Sequence, residues 1–423
     1  MMRFCGLLVA AVGIGCGHLE ADYGVEPGEV LPNHPAHEAY DELFPVHVEV
    51  CAVSQFRTLG GQTGGIPGHG VMYLRGACLD ESASEPQLRL CDGREGESGG
   101  VGISVNRWTR NVNWLAFPGR ELFFFGNLEP GQSVTEAALE RAVDDALELG
   151  LFEGVDYYEY PTEVEQRSLR DFVRHHVLGT DFGIAMARTL LCARAPVSTD
   201  MMREVVTYLN DLNRQYAESD AEYHWSVYHD NCVHVLRNAL AAASVWPPKH
   251  VRSMTLRQAF HVPIPANEYL HFALRTTEFP IEDFDAVWKD DEARDSLLEF
   301  GWLPGRHGAL LTSVHALRPN HVYDTGFHLL VLEPPFGGDL HRAERLMNDR
   351  RFTDLETNLR WFQSHYRNIL EAVLPDEGEE LRGQRDRPVR RRYQRYVADQ
   401  FRDVDAKLEQ LRAYPAGSSS TRP

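Results

Sequence analysis

The sequence predicts an α+β protein in which strands and helices occur in separate runs along the chain. Segments with alternating apolar and polar residues follow Val46, and helix-start signals precede amphipathic runs in the middle of the chain. A second stretch with β-like composition then precedes a helical end. With 423 residues, 43% of them apolar, the chain suits either one large domain with appendages or two domains.

The first β-like run begins with PVHVEVCAVSQF, which alternates as a half-buried strand does. A glycine-dense loop, GGQTGGIPG, separates it from HGVMYLRGACL, and further strands are expected at QLRLC, VGISVN and ELFFFGNL. The loop lacks the lysine and the following helix of a phosphate-binding loop, so it does not predict a nucleotide site.

Helices are predicted in the middle of the chain. Ser133 and Glu136 have the spacing of a capping box, and the helix that they start is expected to end at Gly150. Two more helices are expected over residues 164–178 and 199–217.

The composition changes after Trp246, where two prolines follow. We therefore predict that residues 45–248 form the first domain. A β-rich region over 249–340, a helical region over 341–414 and a disordered tail over 415–423 are expected to follow.

The N-terminus has the form of an export signal over residues 1–16, with a basic Arg3, an apolar run and small residues around Cys16. The run VGIGC resembles a bacterial lipobox, which would make Cys16 the acylated first residue of a lipoprotein. Residues 17–44 then read as a tether. The alternative is a short apolar strand at the start of a cytosolic protein.

The net charge of −20 argues against a nucleic-acid-binding protein, because such proteins need a basic surface. The basic run RDRPVRRRYQR, residues 385–395, has two interpretations. It contacts acidic lipid headgroups, or it is a solvated helix start that offsets the acidic remainder of the chain.

Five cysteines remain after the signal segment, so in an oxidising compartment at least one thiol stays free or pairs between chains. Cys78 and Cys91 flank a polar stretch that can turn a hairpin, which makes them plausible partners. If Cys51 pairs with Cys192, the free thiol is Cys232. The sequence alone does not fix this connectivity.

Cys232 has three interpretations: a packed thiol, a metal ligand or a nucleophile. Asp230 or Asn231 is predicted to cap the helix CVHVLRNALAAA, which puts Cys232 in its first turn. Unpaired N–H groups and the helix dipole lower a thiol's pKa at that position, which favours the nucleophile.

A zinc site is the metal interpretation, with His229, Cys232 and His234 as ligands. Residues i and i+3 share a helix face, but His234 lies only two residues after Cys232 and points away. The spacing therefore disfavours zinc, and no metal or cofactor is predicted.

A nucleophilic cysteine needs a base, which is usually a histidine. Among 19 histidines, His69 stands out because it opens a predicted strand directly after the glycine-dense loop, with Val71 and Tyr73 on its face. The alternative is a strand-edge histidine without a chemical task.

Two segments, GHGVMYL with His69 and Tyr73 and NCVHVLRNAL from Asn231, occur in the order found in circularly permuted papain-like enzymes. In that class, which includes the lecithin:retinol acyltransferase-like proteins, a strand carries His-x-Gly/Ala-x-Tyr, where this chain has Val71 at the small-residue place. More closely, residues 45–245 resemble the DUF4105 family, the N-terminal periplasmic domain of Lnb-type bacterial lipoprotein N-acyltransferases. The resemblance implies a permuted papain-like (NlpC/P60-like) fold.

The resemblance also implies a thioester mechanism. Cys232 attacks an acyl carbonyl, His69 takes and returns the proton, and an amine or water then releases the acyl group. A third, orienting residue is expected on the strand after the histidine, at Asn106 or Ser104.

The Tyr-x-x-Asn-Cys helix start implies that Tyr228 and Asn231 lie beside the substrate, with backbone N–H groups stabilising the oxyanion. Lnb-type enzymes carry a transmembrane portion after this domain. No later segment here approaches about 18 consecutive apolar residues, so amide hydrolysis on envelope peptides is a competing activity.

We therefore expect an exported cysteine-dependent acyltransferase or amidase, in the periplasm or at the outer membrane of a Gram-negative bacterium. Its substrate is a lipid-linked or peptide acyl group, and a lipid anchor holds it at a membrane surface. The alternative is a non-catalytic envelope lipoprotein that uses the same fold as a binding module. The enzyme requires a free Cys232 thiol within about 4 Å of His69, whereas a disulfide through Cys232 favours the binding module.

Overall fold

The segment HVEVCAV forms the central strand, β2 (His47–Val53), as expected, but every residue of it is buried, so the prediction of a half-buried strand is wrong. Val48 and Val50 face one apolar core, while Cys51 and Val53 face another. Because successive side chains of a strand point to opposite faces, a strand buried on both sides lies between two packed layers.

The computed structural model describes residues 15–19, 35–59, 63–64, 68–83, 85–94, 96–129, 131–158, 168–226, 230–248, 264–326, 329–333, 338–372 and 387–414.

Five further strands join β2 in one antiparallel sheet: β5 (His69–Arg75), β8 (Gly100–Ser104), β9 (Leu115–Pro118), β10 (Leu190–Pro196) and β11 (Leu310–Val314). The order across this six-stranded sheet is β11-β10-β2-β5-β8-β9, and each neighbouring pair is antiparallel.

Three small antiparallel sheets lie outside it. The first pairs β1 (Gly15–Leu19) with β13 (Leu329–Glu333). The second contains β3 (Phe56–Thr58), β4 (Thr63–Gly64) and β12 (Tyr323–Asp324). The third pairs β6 (Ala77–Leu79) with β7 (Leu88–Leu90).

Helices surround the sheets. The α-helices are α1 (Pro35–Leu43), α2 (Glu136–Glu148), α3 (Leu169–Phe172), α4 (Thr199–Ala217), α5 (Cys232–Ala242), α6 (Pro265–Thr277), α7 (Phe284–Lys289), α8 (Asp291–Glu299), α9 (Asp339–Met347), α10 (Arg350–Thr353), α11 (Leu355–Ala372) and α12 (Arg387–Ala413). Two π-helical turns, Glu121–Phe125 and Val173–Val177, and a 3-10 turn, Ile184–Met186, complete the described elements.

The two faces of the central sheet carry separate cores. Helices α4, α5, α6 and α9 cover one face. Helix α2 and the π-helical turns cover the other. A third core joins α1, α7, α8, α11 and α12 at the end of β11. The mixed α+β class with an antiparallel sheet is therefore confirmed.

The prediction that residues 249–340 are β-rich is wrong for residues 265–299, which form α6, α7 and α8. Ala266, Tyr269, Leu270 and Ala273 are all buried and recur at the spacing of one helix face. Strands β11, β12 and β13 do fall in this region, but β11 is an edge of the central sheet. The predicted boundary at residue 248 therefore does not separate two sheets.

Two local predictions also fail. ELFFFGNL was expected to be a strand, but Gly119, at φ +78°, ends β9 and Glu121–Phe125 forms a π-helical turn with its four apolar residues buried. The N-cap of α2 is Thr135, whose hydroxyl accepts from the Ala138 N–H at 3.2 Å, and not Ser133. Residues 341–414 are helical in their described parts, as predicted.

The predicted tether, residues 17–44, ends in α1, where Tyr40 and Leu43 are buried in the third core. That part is packed, so the expectation of a tether is wrong there. The rest of the predicted tether beyond residue 19, the signal segment before residue 15 and the tail over 415–423 lie outside the described residues. None of the helices in the described ranges combines the length and apolar character needed to cross a bilayer.

Two disulfides each join neighbouring strands of one sheet. Cys51 of β2 is joined to Cys192 of β10, and Cys78 of β6 is joined to Cys91, which follows β7. Cys232 is a free, buried thiol. The sequence suggested this connectivity, with Cys232 as the free thiol, but could not fix it.

Candidate active site

Helix α5 begins at Cys232 because Asn231 caps it. The Asn231 backbone is extended, at φ −100° and ψ 175°, and its side-chain oxygen accepts from the His234 N–H at 3.1 Å. This is the geometry of an N-cap, and it leaves N–H groups of the first turn without intrahelical partners. The sequence allowed either Asp230 or Asn231 as the N-cap of α5, and in the structure the cap is Asn231.

The Cys232 thiol lies against β5 at Gly70. A Cβ built on Gly70 would lie 3.6 Å from the Cys232 sulfur and 3.2 Å from Leu236 Cδ1. A larger residue at position 70 would therefore push α5 away from the strand. Glycine permits the close contact between the thiol and the strand backbone.

Burial determines the pKa of this thiol. Only 6% of Cys232 is exposed, and its desolvation raises the pKa to about 11, although the backbone N–H groups of Gly70, Val233 and Cys232 itself lower it. The expectation that the helix start gives Cys232 a lowered pKa is therefore wrong. At neutral pH the thiol is protonated, so a nucleophilic role requires a base that removes its proton.

His69, the first residue of β5, belongs to a buried chain of polar side chains. Its Nε2 lies 2.7 Å from the Ser104 hydroxyl, which donates to Asp181 Oδ1 at 2.5 Å. Asp181 Oδ2 accepts from the Asn106 amide at 2.6 Å. We call His69, Ser104, Asp181 and Asn106 the polar relay.

The Cys232 thiol packs on the side of β5 toward which Gly70 faces. Gly70 faces α5, and neighbouring strand residues direct their side chains to opposite faces. His69 accordingly directs its ring to the face that carries Ser104 and Asp181. The structure thus brings Cys232 to the backbone of the residue next to His69, at the start of β5.

Burial shifts the pKa values of two members of the polar relay. Burial and, to a smaller extent, the nearby positive charge of Arg188 together lower the pKa of His69 to about 3. Burial raises the pKa of Asp181 to about 7, while hydrogen bonds from Ser104 and Asn106 and the charge of Arg188 act in the opposite direction. His69 is therefore unprotonated at neutral pH, which is the state required of a base.

Arg188 supplies a buried positive charge beside the relay. It is 2% exposed, it stacks over the Phe56 ring at 4.7 Å, and it donates from Nη2 to the Thr180 hydroxyl at 3.1 Å. Its Nε and Nη1 have no hydrogen-bond partner among the described residues. Burial lowers the pKa of Arg188 to about 10, so it remains charged at neutral pH.

Sequence reasoning missed Asp181 and Arg188. Both lie in the segment GTDFGIAMAR, where Gly179 and Gly183 have positive φ and form the turn that carries Asp181 inward. An acidic residue between two glycines, followed by an apolar run, was the available signal. Asn106 was expected to contact the histidine but instead binds Asp181 and the His176 carbonyl, while Ser104 takes the expected place.

The other predicted residues are dispersed. Tyr228 and His229 lie outside the described residues. Cys16 lies in β1, where it pairs with Leu332 of β13, and its acylation stays a prediction. The ring of His234 lies 2.9 Å from the Asn231 side-chain oxygen through Nδ1, which is a structural contact at the helix start. In the described part of the chain, the groups of potential metal ligands that lie close together do not include Cys232.

No protein-family model, no curated protein and no solved structure matches this chain. The side chains of the site therefore carry the functional argument.

Proposed function

We propose that this protein is a cysteine-dependent acyltransferase or amidase that acts through a thioester on Cys232. The observation that carries the proposal is a free thiol at a helix start, packed on the backbone of Gly70 beside His69. The neighbouring imidazole is neutral and held by a buried serine and aspartate. A nucleophile, a base and a group that orients the base are the parts that such catalysis needs.

In the proposed reaction, Nδ1 of His69 takes the proton of the Cys232 thiol as the sulfur attacks an acyl carbonyl. The new S–C bond gives a tetrahedral oxyanion, for which the N–H groups at the start of α5 are the nearest donors. The C–N or C–O bond to the leaving group then breaks, and the imidazolium returns its proton to that group. An amine or water repeats the sequence and releases the acyl group.

The resemblance of residues 45–245 to the Lnb-type periplasmic domain supports the same assignment, because the histidine strand precedes the cysteine helix. We propose on this basis a permuted papain-like fold and a place in the bacterial envelope, with an acyl-lipid or peptide substrate. Two disulfides in one chain agree with an oxidising compartment.

A second candidate is a non-catalytic binding module with the same fold. The observation that favours it is the resting state of the site: the thiol is protonated, and the His69 ring bonds to Ser104 through Nε2. A catalytic cycle requires the thiol to lose its proton, whereas a binding module requires no such transfer.

The test uses activated acyl esters of short and long chains with the purified protein, followed by intact-mass spectrometry and peptide mapping. We expect a hydroxylamine-labile acyl adduct on Cys232 that is absent in Cys232→Ala and forms at least tenfold more slowly in His69→Ala. The matched control is His341→Ala, which changes an exposed histidine on α9 and should acylate normally.

Circular dichroism and thermal melting establish that each variant is folded. A folded wild-type protein that gives no adduct, or equal adduct formation in His69→Ala, would overturn the enzyme proposal in favour of the binding module.

A further inference from the structure

The N-terminal half of α12 carries a run of arginines. Between residues 387 and 398 this helix contains five arginines and no acidic residue. The sequence left open whether the run contacts acidic lipid headgroups or is a solvated helix start. The structure distinguishes the five arginines by the face of α12 on which each of them lies.

Two of the five arginines belong to the packed flanks of α12. The guanidinium of Arg390 lies 4.4 Å from the centre of the Phe284 ring on α7. Arg392 donates from Nε to the Leu297 carbonyl on α8 at 3.1 Å. Both arginines are half-buried. They hold α12 against its neighbouring helices and are not part of a free surface.

The other three arginines form a row on the outer face of α12. Arg387, Arg391 and Arg395 are exposed and recur every four residues, so they project from one side of the helix, about 6 Å apart along its axis. The opposite side is occupied, because Val389 and Tyr393 are buried in the third core. We call Arg387, Arg391 and Arg395 the arginine stripe.

The arginine stripe has no counter-charge within the described part of the chain. There, no carboxylate oxygen lies within 4.0 Å of its three guanidiniums. Arg402, further along the same face, is paired with Asp399. Acidic residues of α7 and α8, such as Asp285 and Glu299, are exposed but pair with none of the three arginines. A row of exposed positive charges without counter-charges favours an external anionic partner.

The net charge of −20 does not cancel this local positive charge. Solvent screens exposed charges over about 8 Å at physiological ionic strength, so a surface in contact with the stripe is attracted mainly by these three arginines. Each arginine held against an anionic membrane raises partitioning roughly fivefold, and three raise it roughly a hundredfold. The stripe is therefore sufficient for reversible binding to such a membrane.

A bilayer fits this surface better than a nucleic acid does. A bilayer presents its phosphates in one plane, so a straight row of guanidiniums contacts several of them together. Leu298, at the end of α8, is 45% exposed and follows the residue whose carbonyl Arg392 binds. An exposed apolar side chain gains free energy by entering the interface of a bilayer, whereas it gains none from phosphates alone.

We propose that the arginine stripe docks this protein on a membrane surface that contains anionic phospholipids, with α12 parallel to the bilayer. The three arginines contact lipid phosphates, and Leu298 enters the interface. The proposal goes beyond the Cys232 reaction and does not depend on it. It also requires no acyl chain on Cys16.

The experiment is flotation of the full chain with vesicles of phosphatidylcholine alone and with vesicles of phosphatidylglycerol and phosphatidylcholine in equal parts. Every sample carries Cys16→Ser, so that acylation of this residue cannot contribute. We expect at least about tenfold stronger partitioning to the anionic vesicles. This preference should be lost when salt is raised from about 0.05 M to about 0.5 M, because salt screens the arginines.

Two triple variants assign the binding to the stripe. The stripe variant carries Arg387→Gln, Arg391→Gln and Arg395→Gln. The control variant removes three exposed arginines that are paired with carboxylates on α4, α10 and α11: Arg203→Gln, Arg350→Gln and Arg360→Gln. Both variants change the net charge equally. We expect the stripe variant to lose at least about tenfold in partitioning to anionic vesicles and the control variant to retain it.

Circular dichroism establishes that each variant is folded. Leu298→Gln should weaken vesicle partitioning at least about twofold. Duplex DNA serves as a polyanion without an apolar interface, and it should bind at least about tenfold more weakly than the anionic vesicles.

Equal partitioning to neutral and anionic vesicles would overturn the proposal. So would equal losses in the stripe and control variants, full partitioning in Leu298→Gln, or DNA binding as strong as vesicle binding. None of these outcomes bears on acylation of Cys232, so the two proposals fail separately.

Discussion

Ser104 determines which nitrogen of His69 is basic. When Asp181 is ionised, the serine hydroxyl donates to it, so the same oxygen accepts the Nε2–H of the imidazole. The neutral ring then keeps its lone pair on Nδ1, which is the nitrogen left for a proton from the thiol. When Asp181 is protonated, both hydrogen bonds can reverse, and Nδ1 carries the proton instead.

Because Asp181 controls the tautomer of His69, acylation of Cys232 should depend on pH. Below the Asp181 pKa of about 7 the carboxyl is protonated and the imidazole is held in the inactive tautomer, so the rate should be low. The rate should rise as pH increases through that value, because ionised Asp181 restores the basic Nδ1. The measurement is the initial rate of adduct formation, by intact mass, between about pH 5 and 9.

Asp181→Asn should remove the step near neutral pH and leave only the gradual rise due to ionisation of the thiol, whose pKa is about 11. Asp156→Asn is the control, since Asp156 has a side chain that is 61% exposed. A step that persists in Asp181→Asn would show that another group controls the base.

The residues of the candidate site were predictable to different degrees. His69 and Cys232 stand in short local patterns, and Ser104 was one of two residues expected on the next strand. Asp181 had only the weak local signal of its flanking glycines, and its contact with Ser104 spans 77 residues, which only the fold brings together. The pKa of Cys232 was predicted in the wrong direction, since the sequence contains the helix start but not the burial that outweighs it.

At the scale of an element, two helix starts agree with the local signals and one does not. Ser198 caps α4 and Asn231 caps α5, each accepting from the N–H three residues later, whereas α2 is capped by Thr135 and not by Ser133. The run ELFFFGNL failed because consecutive apolar residues suit a buried helix turn as well as a buried strand. A strand also needs a neighbour with which to pair, and the local sequence does not identify one.

The cap of α5 gives a prediction that separates stability from reactivity. Asn231→Ala should lower the free energy of unfolding by about 1 kcal/mol, because the His234 N–H loses its acceptor. Asn231→Asp should keep the stability, since a carboxylate also caps a helix start, but its negative charge should raise the pKa of the adjacent thiol. Urea unfolding measures the first effect, and the rate of labelling by a thiol reagent measures the second.

If Asn231→Asp labels as fast as the wild-type protein at the same pH, the thiol does not sense charge at the helix start. That result would contradict the expectation that a negative charge at position 231 raises the pKa of the thiol.

At the scale of the molecule, contacts between residues far apart in sequence complete the central sheet and the third core. β11 adds an edge strand to the sheet that begins with β2, and the Tyr40 hydroxyl donates to the Gly308 carbonyl across 268 residues. The sequence suggested a boundary at residue 248 because composition changes there. β11 pairs with the edge strand that has an unpaired side in the folded sheet. Composition along the chain does not show which strand that is.

The two disulfides provide a test of this long-range closure. Cys51–Cys192 spans 141 residues of sequence, whereas Cys78–Cys91 spans 13. A cross-link restricts the unfolded chain more when it closes a longer loop, which corresponds to roughly 5 and roughly 3 kcal/mol in the chain-entropy account.

We therefore expect Cys51→Ala with Cys192→Ala to lower the free energy of unfolding more than Cys78→Ala with Cys91→Ala, in urea denaturation without reductant. Burial adds to the difference, because Cys51 and Cys192 are 1% and 0% exposed and their replacement leaves a cavity in the core. A larger loss from the shorter loop would contradict this account. It would mean that the β6–β7 hairpin, rather than the link between β2 and β10, limits the stability of the sheet.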